Sequence, residues 1–328
     1  MIYIDNDYLD AAQSFALEFY LTDEKKLPAD CVFMLWRNRP TLMVGKYQNT
    51  LQEINDAYAK QHGIAVYRRL SGGGTIYTDM GGFQYTFITP GDANEISFTQ
   101  YISPVIGALR ALGVEAGFNG RNDLVIAGRK FSGSAQYKHG GYTVHHGSLL
   151  FDTDIEQMVR STTVDAYKIV SKGIASVRER VTNIAEHLPA PMDPADFRAY
   201  MVRSICGAAR CETYALTPAD RARVEQIADG RFRTWAWNYG ESPRCNIERS
   251  ERLPGGKVEW KLQVDHGTVT ACSLYGDFFC SMDDVGPLCR ALVGCPYREE
   301  DLRRVLQQQN VGRQFYHITA EDLLHTLI

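Results

Sequence analysis

The chain reads as a mixed α/β protein of α+β arrangement: a large β-sheet domain over residues 1–243, then a small α+β domain over 250–328. Three observations predict this. Short β-branched and aromatic runs alternate with helical patterns up to about residue 240. Pro and Gly then cluster around a composition shift at 241–250, as at a domain boundary. A hairpin pattern restarts at Lys257 and is followed by two short helical patterns, enough chain for a modest second core.

In order, residues 10–21 carry Ala11, Ala12, Phe15, Ala16 and Phe19 at helical spacing. Cys31 to Trp36 and Thr41 to Val44 read as strands with Arg39-Pro40 in the turn, and Gln52 to Gln61 as a helix ended by Gly63. Ile64 to Tyr67, Thr75 to Thr78 and Phe83 to Ile88 read as strands. Ser97 to Gln100 has the form of a capping box for a helix bearing Ile102, Val105, Ile106, Leu109 and Leu112, with Pro104 inside it. Leu124 to Ala127, Lys130 to Tyr137 and Tyr142 to Phe151 read as three strands joined by Gly-containing turns. Period-2 alternation places Lys130, Ser132, Ser134 and Gln136 on one face. A short helix is expected from Asp152 to Arg160 and a loop from Lys168 to Arg180. Thr217-Pro218-Ala219-Asp220 starts a helix that ends at Gly230. The second domain holds strands Lys257 to Val264 and Thr268 to Tyr275, then helices near 282–292 and 299–307.

Composition narrows the function classes. A net charge of −4 over 328 residues argues against general nucleic-acid binding. No apolar run approaches membrane-spanning length, and the N-terminal residues lack a signal-peptide pattern. The eight cysteines are scattered without a Cys-x-x-Cys, as expected of reduced thiols in a cytoplasmic protein.

The chemistry gathers around Arg68-Arg69-Leu70-Ser71-Gly72-Gly73-Gly74-Thr75-Ile76-Tyr77. The glycine run joins strand to strand, so it is neither a P-loop nor a Gly-x-Gly-x-x-Gly turn. Glycines bring backbone N–H groups close to an anion, and the flanking arginines and Ser71 add donors for a carboxylate or phosphate. Asn122, Asp123, Lys130 and His146 join them from the β-rich stretch. A lysine at ~4 Å from an anionic oxygen contributes roughly 4 kcal/mol at an effective dielectric of about 20, before desolvation. Both a packing role and a ligand role for His146 stay open here. No paired carboxylates, metal-ligand spacing or nucleophile motif appears.

Taken in order, Phe33 to Asn38, Val44 to Asn49, Arg68 to Asp79 and Gly120 to Asp123 form a highly specific set with Lys130 to Ala135 and His145 to Leu150. Ser171 to Arg178, Arg180 to Asn183, Trp237 to Gly240 with Ser242-Pro243, and Gly276 to Phe279 complete it. With these motifs the sequence resembles the lipoate–protein ligase A family over nearly its whole length. The resemblance implies a catalytic domain of the biotin/lipoate-ligase type. It also implies a two-step reaction, in which ATP, with Mg2+, activates lipoate to lipoyl-AMP and a lysine of an acceptor protein then takes the lipoyl group. The implied acceptor is a dehydrogenase-complex lipoyl domain or a glycine-cleavage H-like protein; no tightly bound prosthetic group, nucleic acid or membrane is implied, and the chain is expected to act as a monomer.

The implied catalytic residues are Lys130 and Asp123, the latter either orienting the acceptor lysine or binding Mg2+. The implied substrate and ATP contacts are Arg69, Ser71, Gly72, Gly73, Gly74, Thr75, Ile76, Tyr77, Thr78, Asn122, His146 and Gly147, with Lys172 and Ser176 on a loop that closes over the adenylate. Thr78 stands where relatives commonly carry His, Gly81-Gly82 replaces Gly-Asn, and Ser14 to Phe19 replaces an Asn-Leu-Ala-x-Glu-Glu pattern. The alternatives are an octanoyl/lipoyl or biotinyl transferase of the same fold, or a non-catalytic lipoate or nucleotide binder. The transferase route through a thioester needs a cysteine at the site, and none lies between Cys31 and Cys206.

Overall fold

Strand Val32–Trp36 shows why the chain folds as a layered protein: all five of its side chains are buried, so it must be covered on both faces. In the computed structural model, which describes residues 1–48, 50–91, 96–120, 122–162, 176–209, 211–239, 247–265, 268–281 and 285–328, it lies within an eight-stranded sheet. The described strands in chain order are β1 (Ile2–Ile4), β2 (Val32–Trp36), β3 (Thr41–Val44), β4 (Ala65–Arg68), β5 (Ile76–Thr78), β6 (Gly82–Pro90) and β7 (Ala116–Phe118). There follow β8 (Asp123–Ile126), β9 (Arg129–His139), β10 (Tyr142–Leu150), β11 (Glu212–Tyr214), β12 (Ile247–Leu253), β13 (Gly256–Asp265) and β14 (Thr268–Gly276).

The large sheet runs β11-β1-β2-β6-β10-β9-β8-β7. It is mixed: β1 pairs in parallel with β11 and β2, and the remaining pairs are antiparallel. Phe33 and Leu35 face one side, where they pack with Phe83, Tyr85 and the helices Thr99–Ala111 and Pro194–Ala209. Met34 and Trp36 face the other, with helices Ala11–Tyr20 and Pro218–Ile227. A three-stranded sheet, β4-β3-β5, carries the glycine run at its edge. A second three-stranded sheet, β12-β13-β14, packs with helices Gly286–Leu292, Glu299–Gln308 and Ala320–Leu327 around a core of its own.

Several expectations need correction. The helix expected over Gln52 to Gln61 is two pieces, Thr50–Glu53 and Asp56–Gln61, because Asn55 caps the second by accepting the Tyr58 N–H. Ser97 caps nothing. The helix begins after Phe98, whose ring packs against His145, Phe279 and Tyr316, so aromatic packing sets its start. Residues 176–180 are helical where a loop was expected, and 163–175 lie outside the described residues. Strand β12 and helix Ala320–Leu327 were not anticipated. The residues 282–284 of an expected helix, and 240–246 at the expected boundary, also lie outside the described residues.

The correction that matters for function is a β-bulge. Leu124 pairs with Ser132 but Val125 pairs with Lys130, leaving Phe131 as the extra residue. Adjacent β8 residues face opposite sides, so Lys130 and Ser132 do too. Lys130 shares its face with Gly133, whose hypothetical Cβ would lie 3.1 Å from the Lys130 amine. Ser134 faces the other way and bonds the Tyr85 hydroxyl at 2.8 Å.

Candidate active site

The glycine loop does not close a hairpin. β4 and β5 flank β3 on opposite sides, so residues 69–75 cross over its end. Gly73 sits at φ +90°, and a Cβ on Gly72 would lie 2.3 Å from the Phe278 carbonyl oxygen. The Gly73 N–H donates to that same carbonyl at 3.1 Å. The segment after β14 is thus docked directly on the loop, and the Phe279 ring reaches the cavity beneath it.

The two arginines differ in their engagements. Arg68 donates from Nη1 to the carbonyls of Gly45, Lys46 and Gln48, from Nη2 to Thr50 Oγ1 and the Asn238 carbonyl, and from Nε to the Trp237 carbonyl. It holds a backbone cage together, which corrects the expectation that both arginines serve an anion. Arg69 donates to the carbonyls of Met43, Gly72 and Gly74 and to Ser71 Oγ, and it shapes the loop while lining the cavity. Burial pushes both guanidinium groups down to about 10; for Arg69 the neighbouring Arg68 charge adds to this.

Across the cavity, the bulge turns Lys130 toward the loop. Its amine forms an ion pair with Asp123 Oδ1 at 2.6 Å and its side chain stays 39% exposed. The Thr182 N–H donates to the Lys130 carbonyl at 2.9 Å, which ties residues 181–182 to this strand. The Asp123 backbone N–H is held by Asn119 Oδ1, and Asn122 donates to the Ser134 carbonyl.

A cavity of about 120 Å³ lies between these walls. Arg69, Gly73, Gly74, Thr75, Ile76, Asn122, Lys130, His146 and Gly147 all line it. Other expected residues stand behind or outside it. Ser71 is one hydrogen bond back, 2.6 Å from His146 Nε2, and Gly72 is buried against Phe278. Tyr77 faces away into a separate apolar cluster and bonds Gln157; burial pushes its hydroxyl far up. Thr78 accepts from Gln84 Nε2 at 3.0 Å, so Gln84, not Thr78, reaches the cavity. Ser176 is exposed on the 176–180 helix, and Lys172 lies outside the described residues, as does Arg121.

Phe15, Trp36, Met43, Gln84 and Phe279 line the cavity without having been singled out. Trp36 shares its face of β2 with Met34, whose β6 partner Thr86 lies directly opposite His146, so only pairing across the sheet brings it to the cavity. Arg69 and Lys130 give the cavity its cationic lining, and Phe15, Trp36, Met43 and Ile76, which belong to one apolar cluster, form its apolar end.

On this mixed sheet one cavity joins a cationic, glycine-lined wall to apolar side chains, and comparison with known proteins shows that the chain belongs to the lipoate–protein ligase family. Residues 10–206 match the lipoyl protein ligase A/B catalytic domain and residues 242–327 the bacterial lipoate protein ligase C-terminus. The chain is 40% identical over 329 residues to the lipoate-protein ligase LplJ of Bacillus subtilis, covering 99% of each. Its fold is similar to that of LipL1 of P. falciparum, solved in complex with lipoate, at a TM-score of 0.77 and 21% identity over 94% of each chain. It is also similar to a lipoate-protein ligase A solved with ATP, at a TM-score of 0.59 and 20% identity over 73% of this chain and 97% of that one. The protein is an enzyme of the ligase class.

Proposed function

We propose that the cavity carries out both half-reactions of ATP-dependent lipoylation. A lipoate carboxylate oxygen attacks the α-phosphorus of ATP; the P–O bond to pyrophosphate breaks and lipoyl-AMP forms. The amine of an acceptor lysine then attacks the acyl carbon; the C–O bond to AMP breaks, an amide forms and a proton is released. The observation that carries this reading is that the Lys130 amine and the glycine loop open on one cavity. Lys130 neutralises charge on the carboxylate and α-phosphate oxygens, Arg69 holds the loop that receives them, and the apolar end takes the acyl chain. The ligands named for two fold relatives, lipoate and ATP, support the same substrates.

Asp123 is read here as the partner that holds the Lys130 amine in place. Magnesium enters with the nucleotide as part of that substrate. Ser71, Gly72 and Thr78 act through the groups they hold, and Lys172 and Ser176 belong to the segment assigned to closure over the adenylate. Residues 1–243 form the catalytic domain and 250–328 the accessory domain, a division supported by the separate core around Trp260. The acceptor is a lipoyl domain or an H-like protein, and the enzyme acts as a cytoplasmic monomer.

Lipoate-dependent release of pyrophosphate from ATP tests this reading. Release that is lost in Lys130→Ala supports it. A Lys130→Ala protein with full activity removes the lysine from the mechanism, and no release with any acyl acid favours a non-catalytic binder.

A further inference from the structure

Helix Ala11–Tyr20 carries one carboxylate in its buried stripe. Glu18 lies three residues beyond Phe15, is 1% exposed and points at the sheet. A carboxylate in such a place needs donors to replace its water. Thr86 Oγ1 donates to Glu18 Oε1 at 2.7 Å, Tyr137 OH donates to Oε2 at 3.2 Å, and His146 Nδ1 lies 3.3 Å from both oxygens. Neither half-reaction uses this carboxylate.

The network continues toward the glycine loop. His146 Nε2 is 2.6 Å from Ser71 Oγ, and that oxygen receives the Arg69 Nε–H at 3.1 Å. A carboxylate only accepts, so the Glu18 oxygens beside Nδ1 place the proton of the neutral imidazole there; Nε2 is then an acceptor, and the Ser71 hydroxyl donates to it while its oxygen receives Arg69. Glu18 is the acceptor that Nδ1–H requires. At the far end, Arg69 Nη2 donates to the Gly72 and Gly74 carbonyls at 2.8 Å each. Four side chains thus form one directed chain from the first helix to the loop.

Ser, His and Glu in this order also make a nucleophile triad, but Ser71 is fully buried, is not on the cavity wall and receives Arg69. That favours positioning over covalent chemistry. We propose that Glu18 is a positioning residue for acid activation: by holding the His146 proton on Nδ1 it directs Ser71 onto His146 and Arg69 onto the loop carbonyls. This rests on the reading that lipoate is activated in this cavity.

The test uses the full-length enzyme and lipoate-dependent exchange of labelled pyrophosphate into ATP. Glu18→Gln keeps the volume but puts an N–H₂ donor where one of the converging hydroxyl donors needs an acceptor. The expected result is a loss of about tenfold in kcat/KM for lipoate, expressed in KM more than in kcat, with Glu18→Gln/Ser71→Ala no worse than the worse single variant. Wild-type kinetics for Glu18→Gln, or single effects that multiply, overturn the proposal. Nitrogen NMR of the wild-type histidines gives a readout independent of any variant's folding: His146 protonated on Nδ1 alone supports the chain, and a proton on Nε2 contradicts it. An acyl group found covalently on Ser71 by peptide mass spectrometry also overturns it. If the wild type shows no lipoate-dependent exchange, the functional reading fails. An active wild type, sensitive to Lys130→Ala but indifferent to Glu18→Gln, sinks the relay alone.

Discussion

The two cationic walls of the cavity do opposite things with their charge. On the loop side, Arg69 lines the cavity with Arg68 beside it in sequence but off its wall; both are buried and their donors are engaged by backbone carbonyls and hydroxyls. On the β8–β9 side, Lys130 is held by one carboxylate and keeps more than a third of its surface open. The first wall is a rigid frame whose positive charge stabilises the shape of a loop. The second is an available ammonium that can exchange a carboxylate partner for a ligand oxygen. A close cluster of basic residues in a sequence is therefore not one functional unit: burial and hydrogen-bond count decide which charge meets a substrate.

The sharpest way to break this contrast is Lys130→Ala. It should lower the rate of lipoate-dependent pyrophosphate release by about 10²–10³ or more, yet change stability by under about 1 kcal/mol in urea denaturation, because its ion pair is partly exposed. The reverse pattern is expected for Arg68→Met. Leaving several buried carbonyls without a donor should destabilise the fold by about 3 kcal/mol in the same measurement, and any activity loss should follow the folded fraction. Gly72→Ala then probes the joint between the loop and the segment after β14. Its Cβ would meet the Phe278 carbonyl oxygen at 2.3 Å, so a loss of about 2 kcal/mol is expected in thermal unfolding.

The smallest effect sharpens the same lesson in two adjacent histidines. His146 faces the cavity, whereas His145 faces the other core, stacks on Tyr101 at 4.6 Å and has neither ring nitrogen hydrogen-bonded among the described residues. Burial pushes His145 well below the usual imidazole range. Its folded state therefore binds fewer protons than its unfolded state once pH falls below about 6.5. The His145 contribution to stability is present above that pH and is lost as pH falls toward the folded value, at up to about 1.4 kcal/mol per pH unit. His145→Phe should flatten the urea-midpoint slope over that acid window; an unchanged slope would assign the acid sensitivity elsewhere.

Much of the frame was legible because apolar alternation and turn residues are local signals. Strands β2, β3, β9 and β10 lie close to where their patterns put them. What the pattern missed depends on pairing across the sheet. The bulge at Phe131 turns Lys130 to the face opposite Ser132 and Ser134, and only the partner strand's register reveals it. Ile76 and Tyr77 are neighbours in the sequence motif, but alternation along β5 sends one to the cavity and the other to the core. Glu18 left a trace as a carboxylate within the apolar stripe of a helix, yet its partners Thr86, Tyr137 and His146 stand 68, 119 and 128 positions further along the chain. No local pattern joins residues so far apart.

An available ammonium and a fixed glycine bend meeting around one acyl-nucleotide are the centre of the proposed mechanism. A crystal structure of the enzyme with a non-hydrolysable lipoyl-AMP analogue tests this most directly. The predicted result is Lys130 Nζ within about 3.2 Å of both an acyl carbonyl oxygen and an α-phosphate oxygen, with the phosphate against Gly73 and Gly74. An analogue bound elsewhere, or in this cavity with Lys130 still paired only to Asp123, would contradict it.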